Sequence, residues 1–239
     1  MKRAFYILGA LLLFLLAVNV AVFISFSVAK REGGAISLVV RDGGEWEREV
    51  LKSLLSYAEG REELYPEEVK RFAQSLPWVK RARVKQSTNR LIVEIEEVRP
   101  AYYLVVSGKF YLVGENGMVL AQEERAFREL PVYYYEGKSL PFIADGPFLK
   151  VQKTVKMELE LVGEKLKKLK SEGENPQIVM SDAFITLVFR EKKAIVRLSL
   201  EERGWDNFFH FFRLTGGIIP GLYDFRFYDM LIRGGGNAK

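Results

Sequence analysis

The sequence contains no cysteine and a single histidine in its 239 residues. The lack of cysteine excludes disulfides, thiol catalysis and cysteine-ligated metals, and one histidine cannot supply the paired imidazoles that many metal sites use. The HExxH, GxSxG and Walker patterns of metalloproteases, serine hydrolases and nucleotide-binding proteins are missing as well. We therefore predict that the protein is not an enzyme and has no catalytic, metal-binding or cofactor-binding residues.

An excess of charge of one sign is also absent. The 36 Lys and Arg residues nearly balance the 31 Asp and Glu residues, which leaves a formal net charge of +5 at pH 7. Nucleic-acid-binding domains usually carry a stronger basic excess, so we predict no nucleic-acid partner. The hydrophobic content of 49% and the charged content of 28% are typical of a folded globular protein rather than a disordered one.

One long hydrophobic run is present, because residues 4–29 carry no charged side chain. As an α-helix this run would extend about 39 Å, whereas the hydrocarbon core of a bilayer is about 30 Å thick. A signal-peptide core is usually shorter, although Ser27-Val28-Ala29 resembles a cleavage site and a cleaved signal is the alternative. We predict an uncleaved anchor in the lipid bilayer over 4–29, a cytoplasmic tail over 1–3, and extracytoplasmic domains beyond the anchor.

Residues 33–99 are predicted to form a first domain. Apolar residues at helical spacing predict a helix over 45–58 and a second helix that begins at Pro66. Alternating apolar and charged residues predict strands over 79–86 and 90–96, and a short strand precedes the helices. The resulting order is strand, helix, helix, strand, strand, which favours two helices covering one face of a three-stranded sheet.

Residues 100–233 are predicted to form a second domain of mixed β structure. Several alternating strands include a hairpin turn at Asn116-Gly117, a strong turn signal, and a long helix is predicted from Phe148 to Leu169. A final strand is predicted over Leu222–Arg233, followed by a disordered tail over 234–239. A terminal strand is often a sheet edge that either accepts a partner strand or is protected by its own side chains, and the pattern alone leaves both open.

Few side chains are placed for acid–base chemistry. His210 lies among four phenylalanines, a setting typical of a packed or half-exposed core residue rather than a catalytic base. Glu96 and Glu97 are neighbours on a predicted strand, so their carboxylates point to opposite faces and do not converge. A binding module is therefore favoured over an enzyme.

Several short segments, in their order and spacing, resemble the bacterial cell-division family FtsQ, also called DivIB. The segments that carry this resemblance are Leu76-Pro77-Trp78-Val79, Leu91-Ile92-Val93-Glu94-Ile95, Glu97 with Pro100, Gly117-Met118-Val119-Leu120 and Asp224-Phe225-Arg226-Phe227. The resemblance implies that residues 33–99 form a POTRA (polypeptide-transport-associated) domain and residues 100–233 an FtsQ-type β domain. The complete predicted fold class is α+β: one N-terminal transmembrane helix, a small POTRA-type α+β domain, then a mixed β domain with a long packed helix and a C-terminal edge strand.

The resemblance also implies a function. Members of this family are non-enzymatic scaffolds of the division complex, or divisome, in the cytoplasmic membrane at the septum. They bind the partners FtsB and FtsL outside the membrane, and FtsB adds a strand to the C-terminal edge of the β domain. The residues that the resemblance and the edge strand assign to this contact are Tyr223, Phe225, Arg226, Phe227, Tyr228, Met230 and Ile232.

Two alternatives of other classes stay open at the level of sequence. A different POTRA-bearing transport or assembly factor would need a channel partner. A membrane-anchored extracytoplasmic enzyme would need convergent polar residues in a deep pocket.

Overall fold

A computed structural model describes most of the chain beyond residue 35. The residues that it describes are 36–41, 44–61, 63–87, 90–227 and the backbone of 232–234. The predicted cytoplasmic tail at 1–3 and the predicted anchor at 4–29 lie outside these residues, as do residues 235–239 of the predicted C-terminal tail.

The predicted fold class is wrong. The described residues form a mixed α/β structure of mostly strands with four helices, and none of these helices combines the length and the apolar character needed to cross a membrane. The prediction failed for a physical reason, because the alternation of side chains that reveals a strand does not reveal the direction of its neighbour. Four strand pairs are parallel, and such pairs need crossover connections that join helices and strands in one mixed fold.

The chain divides into two compact units between Glu97 and Val98, slightly before the predicted domain boundary. Unit 1 has the strand, helix, helix, strand, strand order. Its elements are β1 (Ile36–Arg41), α1 (Glu47–Ala58), α2 (Pro66–Ser75), β2 (Val79–Ser87) and β3 (Arg90–Glu97). The three strands form a sheet in the order β1-β3-β2, in which β1 runs parallel and β2 antiparallel to β3.

The apolar positions of unit 1 explain why its helices pack on this sheet. Val50 and Leu54, one helical turn apart, are fully buried on α1, and Val69 and Ala73 repeat that spacing on α2. The two helices also meet through Tyr57 and Phe72, whose stacked rings lie 4.1 Å apart between centroids. Every second residue of β3 from Leu91 to Ile95 is buried, so one face of the sheet forms the core.

Unit 2 contains the remaining described elements. The first group of strands is β4 (Pro100–Val106), β5 (Lys109–Gly114), β6 (Val119–Glu123), β7 (Val132–Tyr135), β8 (Phe142–Asp145) and β9 (Phe148–Val151). The elements that follow are α3 (Lys153–Ser171), β10 (Gln177–Met180), β11 (Phe184–Phe189), β12 (Ala194–Ser199), α4 (Glu202–Thr215), β13 (Gly221–Phe225) and β14 (Ile232–Gly234). Nine strands form one sheet in the order β14-β13-β12-β11-β10-β7-β4-β5-β6, and β8 pairs with β9 in a separate hairpin.

The two helices of unit 2 pack on one face of the nine-stranded sheet. Val155, Leu159 and Val162 of α3 join the same buried cluster as Trp205 and Phe208 of α4. The long helix nevertheless begins later than predicted, because residues 148–151 form β9.

Candidate functional site

The predicted final strand, Leu222–Arg233, is two strands in the structure. β13 pairs in parallel with β12 on one side and antiparallel with β14 on the other. β14 is the outermost described strand on that side of the sheet. Over residues 222–224, both rows of backbone groups of β13 therefore face neighbouring strands. Among the described residues, Ile232–Gly234 forms the sheet edge on this side.

Asp224 explains why the strand stops. Its carboxylate oxygen Oδ1 accepts a hydrogen bond from the backbone N–H of Arg226 at 3.1 Å, two residues further along the chain. A local hydrogen bond of this kind competes with the hydrogen bonds between strands and favours a turn. The chain then returns as β14, in register with Asp224 opposite Ile232.

Tyr223 and Phe225, two of the predicted partner-binding residues, point into the core. Their exposed fractions are 1% and 5%, and their rings contact Phe211 of α4 at centroid distances of 4.9 and 5.6 Å. The hydroxyl of Tyr223 donates to the carbonyl oxygen of Ile219 at 3.2 Å. These two side chains stabilise the fold and have no surface left for a partner, because alternate residues of β13 face the helix side of the sheet.

Arg226 and Asp224 form a close ion pair at the start of the turn. The guanidinium Nε donates to Oδ1 and Oδ2 of Asp224 at 2.9 and 3.0 Å, and Nη2 donates to Oδ2 at 2.6 Å. This hydrogen bonding by Arg226 holds the pKa of the Asp224 carboxyl below its usual range, and Asp224 in turn raises the pKa of Arg226. The pair stays ionised at neutral pH, and the bonds fix the guanidinium plane.

Two aromatic rings flank this guanidinium. Its central carbon lies 4.9 Å from the ring centroid of Phe184 and 5.6 Å from that of Phe227. The guanidinium of Arg197, the residue opposite Asp224 on β12, lies 5.9 Å from the same Phe184 ring. Phe227 is 48% exposed. We call Phe184, Arg197, Asp224, Arg226 and Phe227 the edge cluster.

The edge cluster offers two kinds of contact to a partner. The fork of Arg226 is bound to Asp224 through Nε and Nη2, and no hydrogen bond joins Nη1 to a described residue, so Nη1 can donate to a carboxylate or carbonyl oxygen of another chain. The exposed ring of Phe227 supplies apolar area, and Arg and aromatic residues are common energetic centres of interfaces. The remaining predicted contact residues are described less fully: Tyr228 and Met230 lie outside the described residues, and Ile232 is described by its backbone in β14.

Phe184 and Arg197 were not predicted as site residues. They lie on β11 and β12, far from the Asp224–Phe227 segment in the sequence, and parallel pairing of β12 with β13 brings them beside it. Arg197 stands between the buried Val196 and Leu198, and this charged residue in an apolar strand was the available signal.

Other candidate chemistry is sparse in the described part of the chain. His210, predicted to be a packed or half-exposed core residue, is exposed on α4. Among the described residues, no three His, Asp or Glu side chains lie close enough together to hold a metal ion.

Comparison with models of known protein families gave no match, and comparison with the sequences of characterised proteins gave none either.

Proposed function

We propose that this protein is a non-enzymatic scaffold of the bacterial division complex that binds FtsB and FtsL on the outer side of the cytoplasmic membrane. The proposal rests on the family resemblance of the sequence and on one structural observation. That observation is the position of β14 as the outermost described strand of the nine-stranded sheet, next to the edge cluster.

The backbone of β14 supplies the basis for binding. An edge strand has one row of N–H and C=O groups directed away from its sheet, and a partner strand satisfies that row by adding to the sheet. Backbone pairing carries no sequence information, so specificity must come from side chains beside the edge. Arg226 and Phe227 precede β14 in the chain and provide a charged fork and an exposed ring for that purpose.

A pair of proline substitutions tests strand addition. Successive backbone N–H groups of an antiparallel strand point to opposite sides, so one of Ile232 and Arg233 donates towards β13 and the other away from it. Proline at the outward position should abolish binding without loosening the sheet, because proline is tolerated where the lost donor faces outward. Proline at the inward position should lower the melting temperature as well.

Binding of the 239-residue chain to the extracytoplasmic parts of the FtsB–FtsL pair from the same organism can be measured by calorimetry. The parent should bind. The proline variant that keeps the higher melting temperature, in which the lost N–H faces outward, should not bind. Binding by both proline variants at parental affinity contradicts strand addition at β14. Failure of the parent to bind folded FtsB–FtsL contradicts the proposed function itself.

A second substitution tests the edge cluster. Replacing Asp224 with Asn and Arg226 with Gln together removes both charges without leaving one ion unpaired. We expect a loss of about 2 kcal/mol of binding free energy, roughly 30-fold in the dissociation constant, as for an arginine at the centre of an interface. Arg213→Gln on α4, outside the edge cluster, is the matched control and should leave the affinity unchanged.

A further inference from the structure

The sheet of unit 1 has one face turned away from α1 and α2, and that face is basic. Core residues alternate along β1, β2 and β3, so the residues between them point to the opposite side. Strand pairing groups five cations with two carboxylates there, an excess of three positive charges. We call this surface the basic face, and its charged residues are Arg41, Arg81, Arg83, Lys85, Arg90, Glu94 and Glu96.

The cations of the basic face are more exposed than its carboxylates. Glu94, on the central strand, accepts hydrogen bonds from Arg41 at 2.7 Å and from Lys85 at 2.5 Å. The Glu94 side chain is 13% exposed, whereas those of Arg41 and Lys85 are 56% and 63% exposed. Glu96 is likewise 37% exposed beside Arg81, which is 77% exposed and lies 4.0 Å away. An approaching ligand therefore meets positive charge first.

Two arginines of the basic face have all their side-chain donors available. Arg83 and Arg90 are exposed, and neither makes an ion pair or a side-chain hydrogen bond with another described residue. Arg83 lies opposite Glu94 in the register, but the Glu94 carboxylate is already bound by two other cations. A free guanidinium presents a planar fork of donors that matches the oxygens of a phosphate group.

The basic face is a single layer of side chains on a sheet. Half-buried Val39 and Ile92 lie among its charges, on β1 and β3. Side chains that stand on one face of a sheet reach similar heights, so the cations can contact a flat partner at the same time. This shape favours an extended anionic surface over a ligand that needs a deep pocket.

The basic face is also close in the chain to the long hydrophobic run. Residues 4–29 carry no charged side chain, and β1 begins at Ile36. The six residues between them extend at most about 22 Å. The proposed function holds the chain at a membrane, and the hydrophobic run is the segment predicted to lie in the bilayer. A connection of that length keeps unit 1 within reach of the lipid headgroups.

We propose that the basic face lies against the headgroups of anionic phospholipids in the membrane that holds the chain. Its arginines and Lys85 pair with headgroup phosphates in charge-assisted hydrogen bonds. A cluster of Lys and Arg beside a membrane segment is typical of binding to anionic lipid. The proposal rests on the membrane location in the proposed function and does not depend on strand addition at β14.

A fluorescent label at a single introduced cysteine tests this contact, because the chain has no cysteine of its own. One labelled version of the full chain carries Ser87→Cys, at the exposed end of β2 on the basic face, and another carries Lys52→Cys, exposed on α1. Both are reconstituted into phosphatidylcholine vesicles with a headgroup-bound quencher, with and without phosphatidylglycerol. Phosphatidylglycerol should increase quenching of the label at 87 and leave that at 52 unchanged, and high salt should reverse the increase.

Charge-reversal variants identify the residues that make the contact. Arg83→Glu with Arg90→Glu should reduce quenching at 87 to its level in phosphatidylcholine alone. The matched control, Arg48→Glu with Arg71→Glu, makes the same charge change at exposed positions on α1 and α2 and should keep the parental quenching. Arg83→Gln with Arg90→Gln should lose part of the quenching at an unchanged melting temperature, since it adds no repulsion with Glu94.

Several results would overturn the proposal. They are failure of the full chain to float with vesicles that contain phosphatidylglycerol, equal quenching at the two label positions, no effect of phosphatidylglycerol, and an equal loss in the control pair. Any of the last three would leave an acidic segment of a protein as the better occupant. The variants of the basic face should bind FtsB–FtsL as the parent does, so failure of this proposal and failure of the proposed function are distinguishable.

Discussion

Replacing Glu97 with alanine should destabilise unit 1 by about 2 kcal/mol. Glu97 ends β3, and its carboxylate accepts hydrogen bonds from three successive backbone N–H groups ahead of α1. Gly44 and Glu45 donate to Oε2 at 3.2 and 3.1 Å, and Trp46 donates to Oε1 at 2.9 Å. Trp46 is the N-cap residue of α1, and its side chain makes no capping hydrogen bond. A carboxylate from a distant strand thus holds the segment that leads into α1, up to the N–H of its N-cap residue.

The magnitude follows from two terms. The first N–H groups of a helix have no partner within the helix, and loss of a capping side chain costs roughly 0.5–2 kcal/mol. A negative charge at the positive end of the helix adds about 0.3–1 kcal/mol. Glu97→Gln keeps an acceptor oxygen but loses the charge, so it should cost about half as much as Glu97→Ala.

Tryptophan fluorescence during urea unfolding measures this effect. The chain has three tryptophans, and Trp46 and Trp78 stack in unit 1 with 6.3 Å between their ring centroids. A Trp205→Phe background leaves these two as the only reporters. Glu96→Ala is the control, since Glu96 makes only exposed ion pairs that contribute at most about 1 kcal/mol. A loss for Glu97→Ala no larger than for Glu96→Ala would refute the capping role.

Three further predictions concern unit 2. Gly204→Ala should lower its melting temperature by several degrees in calorimetry, because a Cβ there would lie 2.5 Å from the Ser199 hydroxyl oxygen and 3.0 Å from its backbone nitrogen. Tyr135→Phe should raise the pKa of Asp182 in a carbon-13 NMR titration, because the hydrogen bond from Tyr135 at 2.6 Å is the largest cause of its lowered pKa; an unchanged midpoint contradicts this. Since that folded-state pKa is depressed, Asp182 stabilises the fold above its unfolded pKa of about 3.9, and the contribution is lost as pH falls below that value. The melting temperature of Asp182→Asn should therefore fall less steeply than that of the parent as the pH is lowered. An equally steep fall in both proteins contradicts this prediction.

The sequence predicted unit 1 well because its signals are local. The helices have apolar residues at helical spacing, Pro66 opens α2, and Val79–Ser87 and Arg90–Glu97 alternate as strands do. The Asn116-Gly117 turn is also confirmed, since Gly117 has a positive φ of 82° and donates its N–H to Gly114 at 2.8 Å. Each of these features depends on neighbours within a few residues.

Errors arose where a local pattern fits two structures. Phe148 and Val151 extend the apolar stripe of α3 at helical spacing, yet they form β9, since four residues are too few to distinguish the two periods. The alternation over Leu222–Arg233 likewise did not reveal the turn after Asp224, which depends on a side-chain hydrogen bond. The same pattern did not reveal that Tyr223 and Phe225 are buried, whereas Phe227, assigned through the family resemblance, is exposed. The assignment of these residues to a partner stays a prediction.

The two edges of the nine-stranded sheet differ in how they are covered. Beside β6, the backbone N–H of Val151 in β9 donates to the Gly117 carbonyl at 2.9 Å, and Met118 and Lys150 form an antiparallel bridge. The β8–β9 hairpin therefore shields the start of that edge, a common protection against unwanted strand pairing. No described residue pairs with the outer side of β14. Within the described residues, one edge is covered and the other lies beside an oriented arginine and an exposed phenylalanine. This difference supports the proposal that a partner strand adds at β14.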